Sequence, residues 1–203
     1  MSGALPNVEF TAINISSDQK TLVSTTDSGK TYRRQVDGQR WKFTCQYKLK
    51  TRADFQSIMA FIIKQRGQKE SFTITFPSYL NATGVEAGTV LVNGVHAVAD
   101  TTIALDGFGA DGSGRFKAGD FIKFNSHSKV YMIVADVTSS SNAATVTIEP
   151  PLTTALANNG VVVYDSIPFT VHLTSDLQEF PSNNIDKDGN LLYNFEFDVI
   201  EAI

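Results

Sequence analysis

The chain has 203 residues, 42% hydrophobic and 19% charged, with 17 Lys/Arg against 21 Asp/Glu for a formal net charge of −4. That composition is too apolar for a disordered chain and lacks the basic excess of a nucleic-acid binder. A single cysteine, Cys45, excludes an internal disulfide framework and a Cys-based zinc site, and the longest apolar run, Ile58 to Ile63, falls far short of the roughly 20 residues of a membrane helix.

No basic region followed by an apolar stretch is visible at Met1-Ser2-Gly3-Ala4, so no secretory leader is expected. Residues 1–20 read as polar and irregular. Thr21–Ser24 and Thr31–Val36 are strand candidates around the turn cluster Asp27-Ser28-Gly29, and Asp37-Gly38 is a hairpin signal. Trp41, Phe43, Cys45, Tyr47 and Leu49 then alternate with Lys42, Thr44, Gln46 and Lys48, the pattern of a half-buried strand. Thr51 is placed as an N-cap before Phe55, Ile58, Met59 and Ile62, whose spacing is that of one helix face. The helix, the only convincing one in the chain, ends at Arg66-Gly67. Phe72, Ile74 and Phe76 alternate again before Pro77.

The middle of the chain is rich in small and β-branched residues. Thr89–Val92, Val95–Leu105, Asp120–Phe124, Lys129–Val137 and Ala144–Ile148 are strand candidates. They are separated by turns at Asn93-Gly94, Asp106–Gly119, Ser126–Ser128 and Ser139–Asn142, with another at Asn158-Gly160. About five short strands in this span suggest a small barrel of the oligonucleotide/oligosaccharide-binding type. Beyond it, Pro168–Leu173 is one strand and the alternation of Tyr193, Phe195, Phe197 and Val199 with Asn194, Glu196 and Asp198 another. Residues 1–83 carry a charge of +6, residues 84–164 of −3 and residues 165–203 of −7. The expected organisation is therefore a discontinuous β-rich domain, 1–83 with 165–203, and an inserted barrel, 84–164. Its acidic last strand is expected near the Lys42/Lys48 face, since opposite charges favour cross-strand pairing.

Motifs with chemical meaning are sparse. Gly107-Phe108-Gly109-Ala110-Asp111-Gly112 has G-x-G-x-x-G spacing, but no helix can follow it, so it reads as a loop. Asn184 to Gly189 imitates half a calcium loop; its twelfth position is Phe195 where a bidentate Glu is needed, so it reads as a turn. His96, His127 and His172 have no carboxylate or thiol at ligand spacing. Cys45 reads as a buried strand residue. The sequons Asn14-Ile15-Ser16 and Asn81-Ala82-Thr83 are not expected to be used without a leader. Arg33-Arg34 with Arg40 and Lys42 form a basic cluster suited to a solvated face or a subunit contact. No carboxylate pair of the glycosidase kind stands out.

The segment Lys117-Ala118-Gly119-Asp120-Phe121-Ile122-Lys123-Phe124-Asn125-Ser126-His127-Ser128-Lys129-Val130-Tyr131-Met132-Ile133 resembles the middle domain of siphophage distal tail proteins of the two-domain kind. There, K-A-G-D, a short strand and H-x-K-V-Y-x-I recur. In layout the likeness extends over about residues 30–203; the first 30 residues show no match.

The resemblance implies a mainly β virion protein with one helix and no cofactor, metal or catalytic residue. Lys117, Gly119, Asp120, His127, Lys129, Val130 and Tyr131 would be its structural motif. It further implies a homohexameric ring at the distal end of the tail tube, between tube and baseplate hub, with the inserted barrel outward. DNA would pass through the lumen without specific binding. Such a protein is made in the host cytoplasm and has no membrane partner. The alternative is a carbohydrate-binding or adhesin module of a phage tail, for which Phe108, Phe116 and Tyr131 are the barrel aromatics not committed to a core by pattern.

Overall fold

The computed structural model describes residues 3–6, 9–36, 38–76, 79–182 and 184–203. In chain order the elements begin with β1 (Ala12–Asp18), β2 (Thr21–Thr25), β3 (Thr31–Gln35), β4 (Arg40–Thr51), α1 (Arg52–Lys64), a short 3-10 turn (Gly67–Lys69) and β5 (Phe72–Ile74). There follow β6 (Leu91–Val92), β7 (Thr102–Asp106), β8 (Phe121–Phe124), β9 (Val130–Ile133), β10 (Ala143–Glu149) and β11 (Val162–Val163). The last are β12 (Phe169–Leu173), β13 (Asn184–Ile185) and β14 (Leu191–Glu201). The described residues are mainly β with one α-helix, and the chain divides into two compact units, residues 1–73 with 170–203, and residues 74–169. No helix of the described residues is long and apolar enough to cross a membrane. Asp37 and Pro77, expected at a turn and a strand end, lie outside the described residues, as do Met1 and Ser2.

The first unit is built on a sheet in the order β1-β4-β14-β12-β5, with β13 paired to β14. β4 and β14 run antiparallel with Phe43 opposite Val199, Cys45 opposite Phe197 and Tyr47 opposite Phe195. Directly opposed residues share a face, so two alternating sequences merge into one apolar layer. α1 covers that layer with Phe55, Ile58 and Ile62, all buried. Phe55 lies 5.3 Å from the Tyr193 ring and 5.5 Å from the Phe195 ring. Burial of each such side chain contributes about 1.5–3 kcal/mol. The Thr51 hydroxyl accepts from the Asp54 amide at 3.4 Å, an N-cap. The helix stops where Arg66 and Gly67 take positive φ, +57° and +68°. A Cβ on Gly67 would meet Asp176 Oδ1 at 2.4 Å, in the place where that carboxylate accepts the Gln68 amide.

Two expectations for this unit change, and a third holds in its face but not in its charge pairs. Residues 12–18 are a strand, β1, pairing along β4. Only Ile13 and Ile15 carry its apolar face, and both are half-buried at a sheet edge, so the alternation is faint. Leu49 is not in the core: its φ is +55° and it is 58% exposed. Its amide donates to Asn194 Oδ1 where the β4–β14 register shifts, and that bulge turns the side chain out. Asp198 and Glu196 do lie on the strand beside β4, but opposite Thr44 and Gln46. Thr44 donates to Asp198 at 2.6 Å and Gln46 donates to Glu196, while Lys42 pairs with Asp18 of β1 at 2.8 Å.

Cys45 is fully buried, and burial, helped by the charge of Asp198, pushes its thiol well above the ordinary range. Thiolate, not thiol, is the nucleophile. A thiol reagent is therefore expected to leave Cys45 unmodified in the native chain and to modify it stoichiometrically in denaturant; rapid native labelling would show that the core face is not as described.

The second unit is a six-stranded sheet in the order β11-β8-β9-β10-β7-β6. A bridge between Leu91 and Val161, flanked by Val162 N to Val90 O (3.0 Å) and Val92 N to Gly160 O (2.9 Å), brings its two ends together, so the sheet nearly closes. Its core includes Ile103, Leu105, Phe116, Ile122, Phe124, Tyr131 and Val146. The expected strand at Val95–Leu105 begins only at Thr102; before it the chain turns, with Ala99 at φ +74° and Asp100 accepting the Ala97 amide. The strand expected to reach Val137 ends at Ile133, and the short Val162–Val163 joins as a sixth. Phe108, Phe116 and Tyr131, which the pattern left uncommitted, are core residues, 3%, 0% and 0% exposed. Residues 107–112 form a loop with no helix after it.

Candidate functional site

The seven motif residues fall into two clusters within the second unit. At the first, Lys117, Gly119 and Asp120 form the turn into β8. Gly119 has φ +100°, and its amide donates to the Ile133 carbonyl at 2.8 Å. Asp120 is 4% exposed. Its Oδ1 accepts from the amide and hydroxyl of Thr83, both at 2.8 Å, and its Oδ2 from the amides of Lys117 (2.8 Å) and Gly84 (3.2 Å). One carboxylate thus ties the segment entering the barrel to the turn that starts β8. The Lys117 side chain itself is exposed.

At the second cluster, His127, Lys129, Val130 and Tyr131 surround the turn between β8 and β9, and all four are buried. His127 Nδ1 lies 3.1 Å from the Tyr131 hydroxyl. That hydroxyl is 3.0 Å from Thr153 Oγ1 and accepts the Thr153 amide at 3.2 Å. The His127 ring is also 5.7 Å from that of Phe124. Burial lowers the His127 pKa, with a backbone hydrogen bond to Ala155 acting the other way. The folded state therefore binds fewer protons than the unfolded chain in the window just below the ordinary histidine value. Stability contributed there is present above about pH 6.5 and is lost as pH falls through it. His172 adds to the same slope, its pKa lowered by burial and by Arg40. In chemical denaturation series, His127→Gln is expected to flatten the loss of stability as pH falls below about 6.5 relative to the wild type; an unchanged slope would place the proton uptake elsewhere.

A third buried arrangement was not legible in the sequence. Arg115 Nε and Nη2 donate to Glu86 Oε2 at 2.8 and 2.6 Å. Glu86 Oε1 accepts the amides of Gly88 (2.6 Å) and Gly109 (2.9 Å), and the Tyr164 hydroxyl donates to the Gly88 carbonyl at 2.6 Å. Glu86 and Arg115 are 29 residues apart and neither carries a motif. The clustering of Gly84, Gly88, Gly107 and Gly109 was the available signal of close backbone approach.

The carboxylates of these clusters are saturated by fixed donors, and the imidazole is buried. Among the described residues, no group of three or more His, Cys, Asp or Glu is placed to hold a metal ion. His96 comes 3.7 Å from Asp100 and also accepts the Ala104 amide, a loop contact. Residues 186–190 turn from β13 into β14, with Asp186 accepting the amides of Asp188 and Asn190.

The surface of the first unit has two unusual features. The hairpin β2–β3 is exposed at every strand residue, with Leu22, Val23 and Tyr32 at 62%, 60% and 54%. Arg33 and Arg34 are on this hairpin, whereas Arg40 and Lys42 are on β4. An open groove of about 300 Å³ lies between residues 174–181 and β14, lined by Leu177, Glu179, Pro181, Glu196 and Asp198 among others.

Residues 79–167, somewhat under half of the chain and most of the second unit, match the family model described as distal tail protein pb9, B domain. No curated protein matches the chain.

Proposed function

We propose that this chain, a phage distal tail protein whose residues 79–167 belong to the pb9 B-domain family, closes with five further copies into a ring at the distal end of the tail tube. Its role in the phage tail is structural. In the proposed arrangement the ring joins the tube to the baseplate hub, the barrel of residues 74–169 is carried on the ring-forming unit, and DNA passes through the lumen without specific contacts. The chain then resides in the virion, at the tail tip.

The observation that carries the ring is the β2–β3 hairpin. A two-stranded hairpin with both faces in water is marginally stable by itself, and this one exposes three large apolar side chains. A segment of this kind is used at a contact with another chain. Repeated head-to-tail by a closing rotation, such a heterologous contact makes a ring. A saccharide-binding barrel draws no support from Phe108, Phe116 and Tyr131, whose rings are inside the core and cannot stack on a sugar. Light scattering coupled to gel filtration, with negative-stain imaging, tests the reading. Six chain masses and six-fold rings are expected; a monomer, or a trimer without a lumen, would overturn it.

A further inference from the structure

We infer that the β2–β3 hairpin of one copy docks in the groove between residues 174–181 and β14 of the next, through the face that carries Leu22, Tyr32 and Arg34. This names the contact within the ring reading and rests on it. Leu22 stands opposite Arg34 and Ser24 opposite Tyr32 in the antiparallel register, so these four share one face. The Lys30 ammonium lies 5.1 Å from the centre of the Tyr32 ring and adds a second cation to that face. Val23 and Arg33 point to the other side.

The hairpin has four basic residues, Lys20, Lys30, Arg33 and Arg34, against one acid, Asp27. Among the described residues, none of the four forms an ion pair and the hairpin's backbone hydrogen bonds run between its own strands. The groove has the opposite character. Glu179, Glu196 and Asp198 line it beside Leu177 and Pro181. Leu177 is 71% exposed. Glu196 and Asp198 each receive one neutral donor, Gln46 and Thr44, and among the described residues no Lys or Arg pairs with any of the three acids.

The two surfaces therefore match twice. Apolar Leu22 and Tyr32 meet exposed Leu177 and Pro181, and two cations meet three unneutralised carboxylates. The basic N-terminal and acidic C-terminal segments of the sequence are then complementary between copies. Within one copy the hairpin remains in water. Complementary charge of this kind sets register and association rate, and it weakens as salt screens it.

The test uses the full chain in sedimentation experiments at low and high salt. Arg34→Glu is expected to weaken self-association by about tenfold or more, whereas Arg33→Glu, on the other face, changes it much less. Leu177→Lys combined with Glu179→Lys is expected to weaken it as Arg34→Glu does. All these positions are exposed, so far-UV circular dichroism spectra of the variants should match the wild type. Mixing the Arg34→Glu chain with the groove variant should restore association that neither shows alone, because the intact hairpin of the one fits the intact groove of the other and the reversed charges also match. If the wild type forms rings and Arg34→Glu forms them equally well, or if the mixture stays monomeric, the docking contact is overturned while the ring stands. If the wild type itself stays monomeric, the ring reading falls and the contact with it.

Discussion

Replacing Arg115 with methionine is expected to cost about 3–5 kcal/mol of the stability of the unit formed by residues 74–169. The guanidinium is nine-tenths buried and the Glu86 side chain completely so. Removing the cation leaves a carboxylate inside the barrel with only the Gly88 and Gly109 amides to hold its charge. The loss comes from that stranded charge, because a buried ion pair by itself adds little over apolar packing. Glu86→Gln/Arg115→Met should therefore recover part of the loss: the amide oxygen still accepts the two backbone amides and no charge remains. The glycines at 88 and 109 are integral to this site, since a Cβ on Gly88 would lie 2.7 Å from the Gly109 nitrogen.

The same carboxylate has a pH signature. Burial raises its pKa, but the Gly109 and Gly88 amides and the Arg115 guanidinium outweigh burial and hold it below its ordinary value. The folded state then binds fewer protons than the unfolded chain, so this stability is present above about pH 4.5 and is lost as pH falls through the folded value. Chemical denaturation of Arg115→Met across that range is the check; a midpoint within experimental error of the wild type at neutral pH would show that the pair is not buried.

Asp120→Ala should destabilise the same unit by about 3 kcal/mol, because four part-buried hydrogen bonds to a charged acceptor are lost at once and such bonds contribute about 1.5–3 kcal/mol each, without full additivity. The amides of Thr83, Gly84 and Lys117 have no substitute on the alanine side chain. Asp120→Asn keeps one acceptor oxygen, which can retain the two Thr83 bonds at Oδ1, and should lose roughly half as much. Because Asp120 ties the entering segment to the start of β8, the alanine variant is also expected to speed amide exchange at residues 83–84 before the rest of the barrel opens. Uniform exchange across the barrel, or a loss below about 1 kcal/mol, would reduce Asp120 to an ordinary turn residue.

The sequence alone determined the elements whose signal is local. The alternation from Trp41 to Tyr47 and from Phe195 to Val199, the N-cap at Thr51, the Phe55/Ile58/Ile62 face and the Arg66-Gly67 stop all appear as read, because period and capping act over a few residues. A buried, reduced Cys45 followed from the same alternation. The motif from Lys117 to Ile133 lies within the residues that match the distal tail protein B-domain model. Pairing decided the rest. β1 is a strand because β4 offers it an edge, and Leu49 leaves the core because the opposite strand slips register at Tyr193 and Phe195. The 7-residue β10 and 2-residue β11 find their places only once the barrel closes. Phe108 and Phe116 are buried by contacts with Tyr164 and with each other, at ring separations of 5.2 to 5.7 Å that no local pattern encodes. The Glu86–Arg115 pair and the four-donor site at Asp120 likewise join residues 29 to 37 positions apart. Local periodicity tells which side of an element is apolar. Which charge meets which, and which strand has a neighbour, is set by chain closure over those longer separations, where only the folded chain supplies the partner.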